Sequence, residues 1–296
     1  MIEGKTKRLT PGRQAGTIIM ETKDELTGGD AAKRAHIAGI AVHKTEQTSN
    51  VFTLLKRKGI DTAFIERSGP TALLCDDCDM LPLELVMRRY AFGSVLKREP
   101  RYKTNGAPLR FGEVACEFFH KWAVVMPPLV DKPAQMEEGA ARERYLRDGA
   151  WADEVYTDPF VHIENGRWML HPAKVPFDAA NSLMETKPVC SEDERRMILR
   201  QLMLPCFDAL EKAWSAIRTE HGPVALADIK IEVGRRKRDG KIVIADVIDN
   251  DSWRIWPGAD PSKQLDKQSF RDGSDLNLVS DNYVLVAELT RRFLEG

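Results

Sequence analysis

Leu226-Ala227-Asp228-Ile229-Lys230-Ile231-Glu232-Val233-Gly234 alternates polar and apolar side chains with a period of two. Successive side chains of a strand point to opposite faces. Asp228, Lys230 and Glu232 therefore share one face, and Ala227, Ile229, Ile231 and Val233 share the other. The next run, Ile242-Val243-Ile244-Ala245-Asp246-Val247-Ile248, is apolar except for Asp246. A carboxylate in such a run is costly to bury, so packing does not explain it. If the two strands pair even-numbered residues with even-numbered ones, Asp246 joins the acid–lysine–acid face. The turn between them is too long for its sequence to set that register. Two carboxylates and a lysine suit Mg²⁺ and a nucleotide's phosphates: hard oxygen ligands for the cation, an ammonium for the phosphate charge. A solvated edge strand carrying cross-strand ion pairs would show the same alternation. Asp246 tips the reading toward function.

Working outward, strands are expected at 224–233 and 241–249, joined by a basic turn. Upstream, Glu192 to Arg218 reads as one long helix, with Ile198, Leu202, Cys206, Ala209, Ala213 and Ile217 on a stripe and a kink at Pro205. Near the start, Thr17 to Glu21 reads as a strand after the turn residues Pro11, Gly12 and Gly16. Thr27-Gly28-Gly29-Asp30 is a breaker cluster. A helix with Ile37, Ile40, Ala41, Thr48, Val51, Phe52 and Leu55 follows and stops at Gly59. Thr62–Glu66, Ala72–Leu74 and Leu83–Met87 read as short strands, and Leu285–Leu294 as a closing helix. From about Pro127 to Pro188 the periodicity is broken and no element is assigned, although Trp151 and Trp168 call for a surface to bury against. Strands grouped early and late with helices between them indicate an α+β fold.

Composition narrows the function. The chain has 296 residues, 43% apolar and 30% charged, enough for a sizeable core and too apolar for disorder. Lysine and arginine total 44 against 45 acidic residues, so no basic excess points to nucleic acid. No apolar run approaches the roughly 20 residues of a membrane helix, and MIEGKTKRLT carries no secretory pattern. A cytoplasmic protein is expected. Five scattered cysteines fit free thiols in a reducing compartment. Cys75-Asp76-Asp77-Cys78 has metal-like spacing but no second pair, and its carboxylates oppose a reactive thiolate. A plain turn is expected there.

Three further clusters bear on chemistry. Asp249-Asn250-Asp251-Ser252-Trp253-Arg254 is a polar loop beside tryptophans, suited to a ligand or to a self-bonded turn. Glu84 precedes Arg88-Arg89 and Gly93-Ser94, where a guanidinium fork, a backbone N–H and a hydroxyl together satisfy phosphate oxygens. Gly4-Lys5-Thr6-Lys7 lacks P-loop spacing, yet its two lysines can embrace phosphates.

Taken together and in order, EGKTKRL (residues 3–9), LTGGDAAK (26–33), LPLELVMRRYAFGS (81–94), LADIKIEVG (226–234), IVIADVIDNDSWRIWP (242–257) and LDKQSFRD (265–272) resemble the phosphoribosylaminoimidazole-succinocarboxamide synthase (SAICAR synthetase) family. The resemblance implies a two-lobed α+β fold, distantly like ATP-grasp enzymes, with the nucleotide between an N-terminal lobe (1–82) and a larger body (83–296). Residues 127–188 would be an insertion or a diverged segment. It implies ATP, carboxyaminoimidazole ribonucleotide (CAIR) and L-aspartate as substrates, with Mg²⁺ as cofactor. Lys5 and Lys7 would lie near the ATP phosphates and Met80 near the adenine. Lys230 would lie at the nucleotide, and Glu232 and Asp246 would be nucleotide and metal ligands. Arg88, Ser94 and Arg254 would hold the ribonucleotide phosphate. Glu84, Asp228 and Asp251 would line its ring and ribose, with Asp158 near the bound substrates. Lys230 and Asp228 carry the catalytic assignment. Phe92 stands where the family prefers a small residue and Val233 where it prefers phenylalanine. A same-fold ligase for another amine, or a nucleotide-binding regulator without turnover, would keep most of these residues. Self-association is left open.

Overall fold

The computed structural model describes residues 1–28, 33–266 and 275–295. The breaker cluster at 27–30 and the motifs at 26–33 and 265–272 lie partly outside the described residues. The chain forms two compact units, Met1–Met80 with Arg200–Gly296, and Leu81–Leu199. The first unit groups the C-terminal third with the N-terminal residues.

In the first unit a five-stranded antiparallel sheet runs in the order Ile2–Glu3, Lys7–Pro11, Thr17–Thr22, Ala72–Asp76, Phe64–Arg67. The early helix spans Ile40–Arg57, with no Gly or Pro inside it, and follows Gly39, whose φ of 84° ends the preceding turn. It buries Ile40, Val51, Phe52 and Leu55, but also a polar set of Lys44, Gln47 and Asn50. Gln47 Nε2 donates to the Tyr283 carbonyl (2.8 Å), and Asn50 Nδ2 to Thr290 Oγ1 (3.1 Å). Both partners sit on the C-terminal helix, Leu276–Arg291, which starts nine residues before the expected Leu285. Its first half is rich in Ser, Asp and Asn, weak helix formers on their own. Burial of Val279 and Tyr283 against Leu26, Ile37 and Ile40 supplies what propensity lacks.

The strand of the opening motif runs from Gly222 to Arg236. It pairs antiparallel with Cys78–Met80, Ile242–Ala245 and Trp253–Pro257. It is therefore no edge strand: Ile229, Ile231 and Val233 are buried, and so are Asp228 (4% exposed) and Glu232 (6%). The expected strand 241–249 stops at Ala245, because Asp246 adopts a left-handed backbone (φ 61°). Cys75 and Cys78 lie on successive strands either side of Asp77. Burial pushes their thiols up to about 12 and about 11. The expected single helix over 192–218 is segmented. A capping box at Ser191 and Glu194 opens Glu192–Met197, a π-helical stretch covers Ile198–Met203, and Leu204–Ala216 completes it. Pro205 lies in the first turn of the last segment, where its missing N–H does least harm.

The second unit contains the whole of the stretch that periodicity left unassigned. Strands Leu83–Tyr90, Arg110–His120, Phe160–Glu164, Arg167–His171 and Met184–Thr186 follow one another antiparallel. Ala134–Glu137, Trp122–Val125 and Val155–Thr157 form a three-stranded sheet. Helix Glu138–Tyr145, through Ala141, and Trp151 pack on it, over Ala123, Val125 and Val155. Trp168 is buried in its strand. The strands between 127 and 188 have two to five residues each, too short for a period-two pattern to stand out. Among the described residues no helix is long and apolar enough to cross a membrane.

His120, at the end of its strand, is buried, and that burial lowers its pKa to about 4. The unfolded chain takes up this proton near pH 6.5 and the folded chain only near 4. Its contribution to stability is therefore present above pH 6.5 and lost as pH falls toward 4. Between pH 7 and pH 5 the loss should be about 2 kcal/mol. Urea unfolding of the parent and of His120→Gln at both values checks this. The parent's curve should fall more steeply, and parallel curves would refute it.

Candidate functional site

In the first unit, the long strand and the segment after it place most of the expected residues. A β-bulge at Ala227 shifts the pairing, so that Asp228 stands directly opposite Arg254. Arg254 Nη1 donates to Asp228 Oδ2 at 2.5 Å. Two residues on and on the same face, Lys230 Nζ donates to Glu232 Oε1 (2.8 Å). The Lys230 side chain is about one-third exposed and that of Glu232 is buried, so the lysine is the more accessible partner.

Asp246 reaches the site by another route than the one alternation suggested. Glu232 pairs with Ala245 and Val233 with Ile244, even with odd. Pairing therefore does not put Asp246 on the acid face. It sits one residue past the paired segment in a left-handed conformation that Asp and Asn tolerate better than most residues. From there its carboxylate accepts a hydrogen bond from Lys7 Nζ, in the second strand of the chain. Lys5 is exposed in the turn just before. Met80 is paired with Gly234 and half exposed. A Cβ at Gly234 would meet Cys78 Cβ at 2.8 Å and Met80 Sδ at 3.0 Å, so glycine is required for this approach.

The polar loop after Asp246 is both self-bonded and tied to distant helices. Asp249 Oδ1 accepts the Asp251 N–H (2.8 Å), and Asn250 Oδ1 accepts Trp253 Nε1–H (3.0 Å). Gln47 Oε1 accepts the Asn250 N–H (2.8 Å). Asp251 accepts Lys44 Nζ (2.7 Å) and the Tyr283 hydroxyl. Burial opposes the charge on Lys44, but Asp251, Asp249 and Asp246 outweigh it and raise the lysine's pKa. Burial raises Asp249, with Lys44 opposing.

In the second unit, Glu84 and Arg88 share a face of Leu83–Tyr90, and Glu117 stands opposite Val86 on that face. Arg88 Nε donates to Glu117 Oε2 (2.5 Å). Its terminal nitrogens reach Ser94 Oγ (3.3 Å) and the Phe92 carbonyl (3.4 Å). Arg98 donates to the other oxygen of Glu117. Asp158 lies between two strands with φ 44°, its N–H bonded to the Trp122 carbonyl (2.9 Å).

The structure thus pairs Asp228 with Arg254, Lys230 with Glu232, Lys7 with Asp246, and Arg88 with Ser94. Sequence reading missed Lys44, Tyr283, Glu117 and Arg98. Glu117 carried the signal that singled out Asp246, a carboxylate beside an apolar run (Phe118-Phe119). Lys44 carried a fainter one, polar residues at helical spacing with Gln47 and Thr48. Among the described residues no three His, Cys, Asp or Glu side chains gather as a metal cage. Mg²⁺ commonly uses one or two carboxylates and takes its other ligands from phosphates and water. Glu232 and Asp246 have the right chemistry for that role.

A family model described as SAICAR synthetase matches residues 1–157 and 176–286. The unmatched internal stretch is therefore 158–175, much shorter than the 127–188 expected. A phosphoribosylaminoimidazole-succinocarboxamide synthase of Chloroflexus aggregans is 36% identical, over 98% of this chain and 95% of that one. The Homo sapiens bifunctional phosphoribosylaminoimidazole carboxylase/phosphoribosylaminoimidazole succinocarboxamide synthetase is 33% identical over 100% of this chain. This chain spans 59% of that relative's length. A solved SAICAR synthetase (Type-2), in complex with ADP, has 26% identity and a TM-score of 0.66, covering 98% of this chain and 96% of that one. The α+β fold is shared with that structure.

Proposed function

The chain belongs to the SAICAR synthetase family, and from that premise we propose that it is an ATP-dependent ligase of purine biosynthesis. It joins L-aspartate to the carboxylate of CAIR, releasing SAICAR, ADP and phosphate. The observation that carries this reading is the Asp228–Lys230–Glu232 face, whose two carboxylates are buried, with the Lys7–Asp246 pair from a distant strand. Buried charge of that density is costly unless something uses it. The expected two-lobed, ATP-grasp-like arrangement and a cytoplasmic location belong to the same proposal.

A carboxylate is a poor electrophile, so amide formation needs activation. ATP supplies it by converting the CAIR carboxylate to an acyl phosphate, which the aspartate amine attacks. Lys230 and Lys7 hold the nucleotide's phosphates and offset charge on the transferring group. Glu232 and Asp246 would hold Mg²⁺, which when bound neutralises phosphate charge. Met80 and Lys5 flank the nucleotide. Arg88, Ser94 and Arg254 take the ribonucleotide phosphate, while Glu84, Asp228, Asp251 and Asp158 line the rest of that substrate. Positioning does most of the work, and no protein nucleophile is needed.

Isotope transfer tests the chemistry. CAIR labelled with ¹⁸O in its carboxylate should pass one label to inorganic phosphate, with ADP formed only when both CAIR and aspartate turn over. Labelled AMP, or unlabelled phosphate, would overturn the acyl phosphate. Labelled phosphate without any need for aspartate would point to another amine.

A further inference from the structure

Glu117 lies between two arginines and is itself buried. Its Oε2 takes Arg88 Nε at 2.5 Å, and its Oε1 takes Arg98. Arg98 is 2% exposed and held on several sides. Its Nη1 donates to the Ala173 carbonyl (2.8 Å), and its guanidinium stands over Phe160 and Phe119, at 4.5 and 5.1 Å from the ring centroids. Cation–π contact and a fixed carbonyl leave it little room to turn. Arg88 is 4% exposed, and Glu117 holds its Nε edge. Its bond to Glu117 is short and charge-assisted, whereas its bonds to Ser94 Oγ and the Phe92 carbonyl, 3.3 and 3.4 Å, are long and readily exchanged.

We propose that Glu117 and Arg98 are positioning residues for a phosphomonoester site on Arg88. Arg98 clamps Glu117, Glu117 fixes the Nε edge of Arg88, and the terminal nitrogens meet the substrate's phosphate together with the Ser94 hydroxyl. This rests on the reading that Arg88 and Ser94 hold the ribonucleotide phosphate. On binding, phosphate oxygens replace the two long contacts and the Glu117 bond persists. Such a guanidinium meets the phosphate already oriented, so less entropy is lost on binding.

The experiment compares binding of CAIR with binding of its nucleoside, which lacks the phosphate, in the whole protein. The ratio of the two dissociation constants isolates the phosphate's contribution. Arg88→Ala should lower the ratio the most, leaving only what Ser94 and Arg254 contribute. Glu117→Asp keeps the charge but withdraws it by one methylene. It should lower the ratio at least fivefold and leave nucleoside binding and the KM for ATP unchanged. Arg98→Lys keeps the charge but loses the fork, and gives the same test should Glu117→Asp fold poorly. Adding Glu117→Asp to Arg88→Ala should cost nothing more. If Arg88→Ala loses the discrimination while Glu117→Asp and Arg98→Lys keep it, or if the double variant is worse than Arg88→Ala, the positioning role is wrong and the phosphate site stands. If Arg88→Ala keeps the discrimination, the phosphate site itself is wrong.

Discussion

Asp246→Asn should lower kcat at least about tenfold with the fold intact, since one lost charge-assisted contact is worth roughly 1.5–3 kcal/mol. The backbone makes this substitution informative. Asp246 has φ 61°, and asparagine adopts that left-handed conformation as readily as aspartate does. Size and backbone are therefore conserved, and only the charge changes. The ion pair with Lys7 is lost, but both side chains are about one-fifth to one-quarter exposed. Exposed pairs contribute about 1 kcal/mol or less, so melting should shift little. The effect should fall on Mg²⁺: turnover measured across its concentration should need more metal in the variant. Near-normal turnover at limiting Mg²⁺ would make Asp246 a structural residue that anchors Lys7.

Lys44→Met should destabilise the protein by about 3–5 kcal/mol at pH 7, the usual consequence of removing one partner of a buried pair. Lys44 is 3% exposed, and its ammonium is the cation against Asp251, with Asp249 and Asp246 also acting on it. Methionine matches the volume of the stem but removes the ammonium bonded to Asp251. Asp249, which burial already holds above the ordinary aspartate range, would rise further without the lysine. A buried carboxylate whose folded pKa exceeds its unfolded value binds more protons folded than unfolded. The variant should thus recover stability as pH falls from 7 toward 5, against the direction expected of the parent from His120. Chemical denaturation at the two pH values measures both effects. A loss below 1 kcal/mol with the parent's pH slope would show that Lys44 is not the counter-charge of this loop.

Much of the candidate site was legible because its pattern is local. The period-two repeat of Asp228, Lys230 and Glu232 and the lone acid in Ile242–Ile248 follow from the pleat of a strand and the cost of burying charge. The helix starting near Ile40 follows from apolar spacing closed by Gly59. Where the local pattern was weak, reading failed. The short strands from 134 to 186 and the polar first half of the last helix are stabilised by what they pack on.

What the sequence alone determined is which residues carry charge, which face of the Gly222–Arg236 strand they occupy, and the family motifs they belong to. Only the tertiary structure decided whom they meet. Lys7 finds Asp246 across 239 residues and Lys44 finds Asp251 across 207. The bulge at Ala227 sets Asp228 against Arg254, and a left-handed turn delivers Asp246 where register did not. Backbone periodicity is imposed by neighbouring residues and can be read from them. Pairing over such separations is chosen by the packing of whole elements, and no short window of sequence contains it.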